Sequence, residues 1–208
     1  MLESRTGEIW VLGMEVGLFQ YDEQLDSLIC KVGLDCPKDG YSSGTQLSHG
    51  SIDEDGMIWA GTTSGSIGLF QYNTKNNQFN NFVLPFNEVG ATAALADTIL
   101  GLGKVIWIGT NDGIALFNPT LQRFYFFEGI LPNKFYVYSI FKSKKNSIVW
   151  FCTNQGLIKF NPNNQSIQNY DLPISLNYLV PIGNTVQVIH QDKFQKEIYW
   201  IGLSRGGL

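Results

Sequence analysis

Charge and histidine are what this sequence has least of. Asp, Glu, Lys and Arg make up 15% of its 208 residues, and His49 and His190 are its two histidines. The net charge is −4, from 14 basic and 18 acidic residues. The densest basic cluster is Lys142, Lys144 and Lys145, which reads as a solvated hairpin tip. A nucleic-acid partner would need a basic stripe, so none is expected. No apolar run reaches the roughly 18 residues of a membrane span, so direct insertion by this segment is not expected. Nor does an apolar stretch follow Met1-Leu2-Glu3-Ser4-Arg5 as a secretory signal would require.

The short motifs of catalysis are missing as well. There is no Gly-x-Ser-x-Gly elbow. Gly101-Leu102-Gly103 lacks the third glycine and the strand-to-helix setting of a nucleotide fingerprint. His49 and His190 fall at different places in their strands, which argues against a shared catalytic role and for structural or channel-facing positions. Asp53-Glu54-Asp55 carries oxygen ligands suited to calcium, but without the alternation of a longer binding loop it reads as a hairpin turn. No acid recurs at an interior position, as paired-carboxylate glycoside chemistry would need. No catalytic residue, metal ligand or cofactor is therefore expected, and the ligand-binding residues are not identified from the sequence.

The three cysteines are Cys30, Cys36 and Cys152. Cys152 fits a small-residue packing slot described below. Cys30 and Cys36 flank Gly33 and are either a loop disulfide of an oxidising compartment or free thiols near a strand end. Their spacing does not suggest zinc. Strong helix formers are sparse. The best helical window, residues 91–102, reads better as the inner strand of a sheet.

What is present is a repeat. Tryptophan occurs at 10, 59, 107, 150 and 200, in steps of 49, 48, 43 and 50 residues. The fullest copy is Ile106-Trp107-Ile108-Gly109-Thr110-Asn111-Asp112-Gly113-Ile114-Ala115-Leu116-Phe117-Asn118. A period of about 40–50 residues matches one four-stranded propeller blade and exceeds the usual coil of a β-solenoid. Strand alternation puts each tryptophan on one face with the residue two beyond it. That residue is Gly61, Gly109, Cys152 and Gly202, with Leu12 departing in the first copy. A small residue beside a large ring makes a socket for the neighbouring blade. Gly17, Gly68, Gly113 and Gly156 close the next turn, where a positive φ costs glycine little. Four residues later come Tyr21, Tyr72, Phe117 and Phe160, each followed by the turn-formers Asp22, Asn73, Asn118 and Asn161.

The expected fold is all-β: a β-propeller of four-stranded antiparallel blades, three complete and two partial. The blades fall at 1–44 (partial), 45–90, 91–134, 135–184 and 185–208 (partial), in one partial propeller domain. The first copy is expected to lack an innermost strand, because only seven residues precede its tryptophan strand. Two partial blades that both hold the tryptophan strand cannot merge into one. The segment is thus expected to be a piece of a longer propeller, and the remaining blades of the parent chain are expected partners. A ring of seven such blades takes roughly 300–350 residues.

This repeat resembles the two-component-regulator propeller repeat: tryptophan, a small apolar residue, glycine, threonine, a turn, glycine, and an aromatic followed by Asp or Asn. Trp107 to Asn118 matches best; Trp150 to Asn161 carries Cys152 for the glycine, and Trp10 lacks the glycine–threonine pair. The resemblance implies the periplasmic or cell-surface sensor region of a bacterial hybrid two-component protein, in which propellers precede a small β-sandwich, a membrane helix and a histidine kinase. It also implies response to an oligosaccharide, or to a protein ligand. The alternative is a non-catalytic interaction scaffold of a cell-surface or secretion component. A propeller lyase or hydrolase would need a site from blades outside this segment. Ligand binding is expected on the face that gathers loops 33–44, 84–90, 129–134 and 172–184, where Tyr41, Phe86 and Tyr178 either cap sheet ends or stack on sugar rings.

Overall fold

The computed structural model describes residues 1–13, 17–33, 36, 46–62, 68–85, 89–127, 134–170 and 185–204. Tyr41, Phe86 and Tyr178 lie outside the described residues, as does most of the four loops that carry them.

The motif residues act first on local turns. Asp22, Asn73, Asn118 and Asn161 each accept a backbone N–H two residues on, at 2.9–3.1 Å, and so start the turn after the aromatic. Each turn ends four residues later on a left-handed residue other than glycine: Asp26, Asn77, Gln122 and Gln165, with φ between 48° and 59°. The identity of that residue follows the aromatic. Tyr21 and Tyr72 donate their hydroxyls at 2.7 Å to Asp26 and Asn77, whereas the two phenylalanine copies have glutamine there. The motif threonine closes the preceding turn. Thr110 and Thr153 donate to the carbonyls of Gly113 and Gly156 at 2.9 and 2.8 Å. Gly17, Gly113 and Gly156 take positive φ there, as expected. Gly68 is the exception. It does not need positive φ, and a Cβ on it would come within 2.3 Å of Leu84, so contact excludes a side chain.

These turns connect eighteen described strands. Blade one is β1 (Leu2–Glu3), β2 (Ile9–Gly13), β3 (Gly17–Asp22) and β4 (Ser27–Val32). Blade two is β5 (Leu47–Ile52), β6 (Met57–Thr62), β7 (Leu69–Asn73) and β8 (Gln78–Phe82). Blade three is β9 (Ala91–Ile99), β10 (Gly103–Thr110), β11 (Gly113–Asn118) and β12 (Arg123–Phe127). Blade four is β13 (Val137–Lys142), β14 (Val149–Thr153), β15 (Gly156–Asn161) and β16 (Ser166–Tyr170). Blade five shows β17 (Val186–Gln191) and β18 (Tyr199–Leu203). Every blade is an antiparallel meander with its first strand innermost, and no helix occurs among the described residues. One expectation is corrected. A two-residue inner strand, β1, precedes the first tryptophan strand and pairs Leu2 with Trp10. The inner strand of blade three occupies Ala91–Ile99, inside the 91–102 window.

Innermost strands meet at the axis. His49 of β5 bridges Ala93 of β9 in parallel, joining blades two and three at their inner edges. Hydroxyls make the other joins: Thr92 donates to the Val137 carbonyl at 2.5 Å, and Ser139 to the Gln187 carbonyl at 2.8 Å.

The cores lie between blades. Trp10 packs on Tyr72 at a centroid distance of 5.6 Å, Trp59 on Phe117 at 6.3 Å, Trp107 on Phe160 at 5.0 Å and Trp150 on Tyr199 at 5.7 Å. The tryptophan of one blade thus always meets an aromatic of the next. The socket works as its sequence position implies. A Cβ on Gly109 would lie 2.6 Å from Val137 Cγ1 of blade four, and one on Gly61 would lie 2.6 Å from the Ala91 carbonyl oxygen of blade three. Cys152, in the same slot, is buried with Val186 and Ile189 of blade five. Burial pushes its thiol up to about 11, against a smaller lowering by a hydrogen bond with Ser139.

Cys30 and Cys36 are disulfide-bonded, with Cα atoms 5.4 Å apart. The free-thiol alternative is excluded by this pairing.

Candidate ligand site at the axial mouth

Irregular register near the start of the inner strands builds the site. Phe135 and Val137 are buried in the blade core, and half-buried Tyr136 and Tyr138 line the cavity, Tyr138 where the register shifts between Val137 and Ser139. Their ring centroids are 4.6 Å apart. His49 and Ser48 of β5, Thr92 of β9 and Gln187 of β17 come to the same level, because each stands near the start of an inner strand. Met1, Leu2, Leu12, Leu47 and Gly50 complete a cavity of about 490 Å³. Its mouth opens where inner strands begin, on the face that receives the blade-to-blade connections.

The wall carries no carboxylate, lysine or arginine side chain. Its polar groups are two phenols, an imidazole, an amide and hydroxyls. Ser48 Oγ is buried without a hydrogen-bond partner and fills the space a Cβ on Gly61 would occupy, so it serves the wall more than the cavity. Surrounding wall atoms chiefly, and the Met1 α-amino group second, hold His49 below its ordinary value and favour the neutral ring. Desolvation chiefly, with Tyr138 adding to it, raises the Tyr136 phenol.

His190 is elsewhere. It is exposed on β17 opposite Trp200, and the structure does not bring the two histidines together.

The opposite end of the inner strands has a different character. A hollow of about 430 Å³ is lined by Asp53, Asp55, Asp97, Lys104, Lys142 and Arg5, among others. Here the expectation that no acid repeats at an interior position is overturned. Asp53, Asp97 and Asp192 each accept the indole N–H of their own blade's tryptophan (Trp59, Trp107 and Trp200) at 3.1 Å. The separations are 6, 10 and 8 residues, because hairpins of different length intervene. A search at fixed spacing misses this pattern; alignment on the register opposite the residue two before each tryptophan (Met57, Val105 and Ile198) finds it. Ser4 and Ser143 hold the position in blades one and four, and the Trp10 and Trp150 indole nitrogens are buried without hydrogen-bond partners among the described residues.

These aspartates also join blades. Lys104 of blade three donates to Asp53 at 2.9 Å and to Asp55 at 2.5 Å, and Lys142 of blade four donates to Asp97. Lys142 therefore ends a strand in an ion pair, while Lys144 and Lys145 stand in the exposed turn that follows, where Lys145 pairs with exposed Glu197. Lys104 holds Asp55 below the usual carboxylate range. Burial is the largest single influence on Lys104 and lowers it, but Asp53 and Asp55 together outweigh it and raise the lysine. Asp53 Oδ1 meanwhile accepts the N–H groups of Asp55 and Met57, and Glu54 pairs with Arg5, so the acidic run is a turn with its oxygens engaged. No group of three or more His, Cys, Asp or Glu among the described residues is placed to hold a metal.

No family model matches the sequence, and no curated protein matches it. Solved structures do. The extracellular domain of BT4673, a candidate hybrid two component system of B. thetaiotaomicron, superposes with a TM-score of 0.71 at 20% identity over 98% of this chain. That of BT3049 from the same organism gives 0.67 at 23% identity over 99%. This chain spans 25% of either one's length. Virginiamycin B lyase from Staphylococcus aureus gives 0.68 at 15% identity, over 96% of this chain and 60% of its own. At these identities the likeness is one of fold: the chain is a β-propeller of four-stranded blades, similar to the extracellular domains of two-component signalling systems.

Proposed function

We propose that this chain is part of the extracytoplasmic, ligand-sensing propeller region of a bacterial hybrid two-component signalling protein, and that its axial mouth takes a neutral oligosaccharide. The observation that carries the proposal is the wall of the 490 Å³ cavity. A pyranose presents apolar C–H faces and uncharged hydroxyls. Tyr136 and Tyr138 offer ring faces to the first, and their hydroxyls, His49 and Gln187 offer hydrogen bonds to the second. A charged ligand would meet no counter-charge from these side chains. The Cys30–Cys36 disulfide supports a compartment outside the reducing cytosol. The segment acts in this reading without catalysis: it binds, and signalling belongs to the parent protein.

Titration calorimetry against neutral and uronic-acid oligosaccharides tests the reading. Binding of a neutral member that Tyr138→Ala abolishes, with the melting temperature otherwise kept, is the expected result. Silence across the neutral panel overturns it, and leaves the non-catalytic interaction scaffold of a cell-surface or secretion component in front. Turnover of a saccharide would overturn the non-enzymatic part.

A further inference from the structure

The end of the axis away from the mouth carries the hairpins between first and second strands and the turns between third and fourth. In blade three these are apolar. Its innermost hairpin is long: Asp97 lies ten residues before its tryptophan, against six and eight for the aspartates of blades two and five. Leu100 at the tip is fully exposed, Leu102 beside it 53% exposed, and Leu121 of the β11–β12 turn 64%. Buried Asn118 ties the two turns together. Its Nδ2 donates to the Leu102 carbonyl at 3.2 Å, and its Oδ1 accepts the Leu121 N–H at 3.0 Å. Three leucines are thus held on one ridge in water, although blades flank blade three on both sides.

The two flanks of the ridge differ in charge. The equivalent hairpin tips are Asp53-Glu54-Asp55 in blade two and Lys144-Lys145 in blade four. The division extends outward. At this end the turns of blades one and two carry six acids against Arg5 and Lys75, and those of blades four and five carry four lysines against Asp192 and Glu197. Internal pairs such as Arg5–Glu54 and Lys145–Glu197 leave a surplus of acid on one side and of base on the other. Lys144 is exposed and makes no ion pair among the described residues.

We infer that this face receives a second copy of the same chain, turned by 180° about a line that runs through blade three at right angles to the propeller axis. That rotation sets one leucine ridge beside the other. It also lays the acidic turn of blade two on the lysine turn of the partner's blade four, twice over. The ridge alone would suit any apolar partner; the reversal of charge across it is what selects a second copy, since an isologous contact needs opposite signs on either side of its dyad. An anionic lipid surface would be repelled by the acidic half. The contact leaves the cavity at the other end of the axis open.

Sedimentation equilibrium of the 208-residue chain tests the inference, at rising protein concentration and at low and high salt. A monomer–dimer equilibrium is expected, with a Kd raised several-fold by salt. Leu100→Asp, at a fully exposed position, is expected to raise Kd about tenfold with the melting temperature kept. Glu54→Lys and Lys144→Glu each weaken their own homodimer. Mixing the two variants restores the dimer, because the heterodimer has opposite charges at both contacts. A chain that stays monomeric throughout overturns the inference. So does a dimer that Leu100→Asp leaves intact, which would run through another face. Failure of the mixed variants to recover overturns the charge pairing that selects a second copy. Binding of phosphatidylcholine vesicles by a monomeric chain, lost in Leu100→Asp, would assign the ridge to a lipid surface and likewise overturn it.

Discussion

Gly109 and Tyr72 show how single residues carry this repeat. The space where a Cβ of residue 109 would stand is already taken by Val137 of the next blade, 2.6 Å away. Gly109→Val forces two blades apart and is expected to cost about 1–3 kcal/mol, read as a lower urea midpoint at unchanged slope. Tyr72 is fully buried and its hydroxyl holds Asn77 in the left-handed turn position. Tyr72→Phe should cost about 1 kcal/mol, and the double variant Tyr72→Phe, Asn77→Gln, which copies blade three, should recover part of it. Recovery would establish that aromatic and turn residue are chosen as a pair; an additive double-mutant cycle would refute it. The turn aspartate or asparagine was legible in the sequence. The partner at the far end of the turn was not, because aspartate, asparagine and glutamine share no pattern until the hydroxyl contact is seen.

At the scale of strands and hairpins, variable turn length hid the interior acid. The innermost hairpin differs from blade to blade, so the aspartate drifts in sequence while staying fixed in space beneath the indole. The Cys30–Cys36 bond closes the end of β4 and the segment beyond it. A loop this short is expected to contribute about 2 kcal/mol through the unfolded state. Replacing both cysteines by serine should lower stability by up to that amount. Alkylation of the folded, unreduced chain at pH 8 should label no cysteine, since Cys152 is buried with its thiol pushed up to about 11. Unfolding without reductant should then label one. Two further labels under those conditions would mean that Cys30 and Cys36 are free.

For the molecule as a whole, the two ends of the axis differ in charge, and pH separates them. His49 is held below 6.5 in the folded chain, so the unfolded chain takes up its proton first. Its contribution is complete above about pH 6.5 and is lost as the pH falls toward the folded value. His49→Gln should flatten thermal stability in that window. The Asp55–Lys104 pair responds at the extremes instead. Asp55 is depressed below 3.8, so its stabilisation is present above that pH and lost as pH falls through the folded value. Lys104 is raised above 10.5, so its part is present below that pH and lost as pH rises through the folded value. A pH–melting curve of Lys104→Met should therefore run parallel to the wild type at mid-range and converge with it at both ends.

The sequence by itself determined the repeat. Tryptophan, small slot, threonine, glycine and aromatic–Asx recur because each satisfies a local demand of strand alternation or turn geometry, and local demands leave a fixed spacing. It also placed Cys152 in its packing slot. What only the tertiary structure decided lies between blades. Tyr136 and Tyr138 join His49 and Gln187, the four residues coming from three different blades, in one cavity without a carboxylate, lysine or arginine side chain. Asp53 and Asp97 find their lysines in the following blade, 51 and 45 residues on. These contacts depend on how sheets are set side by side around an axis. Radial packing brings distant residues together without imposing on them any common spacing along the chain.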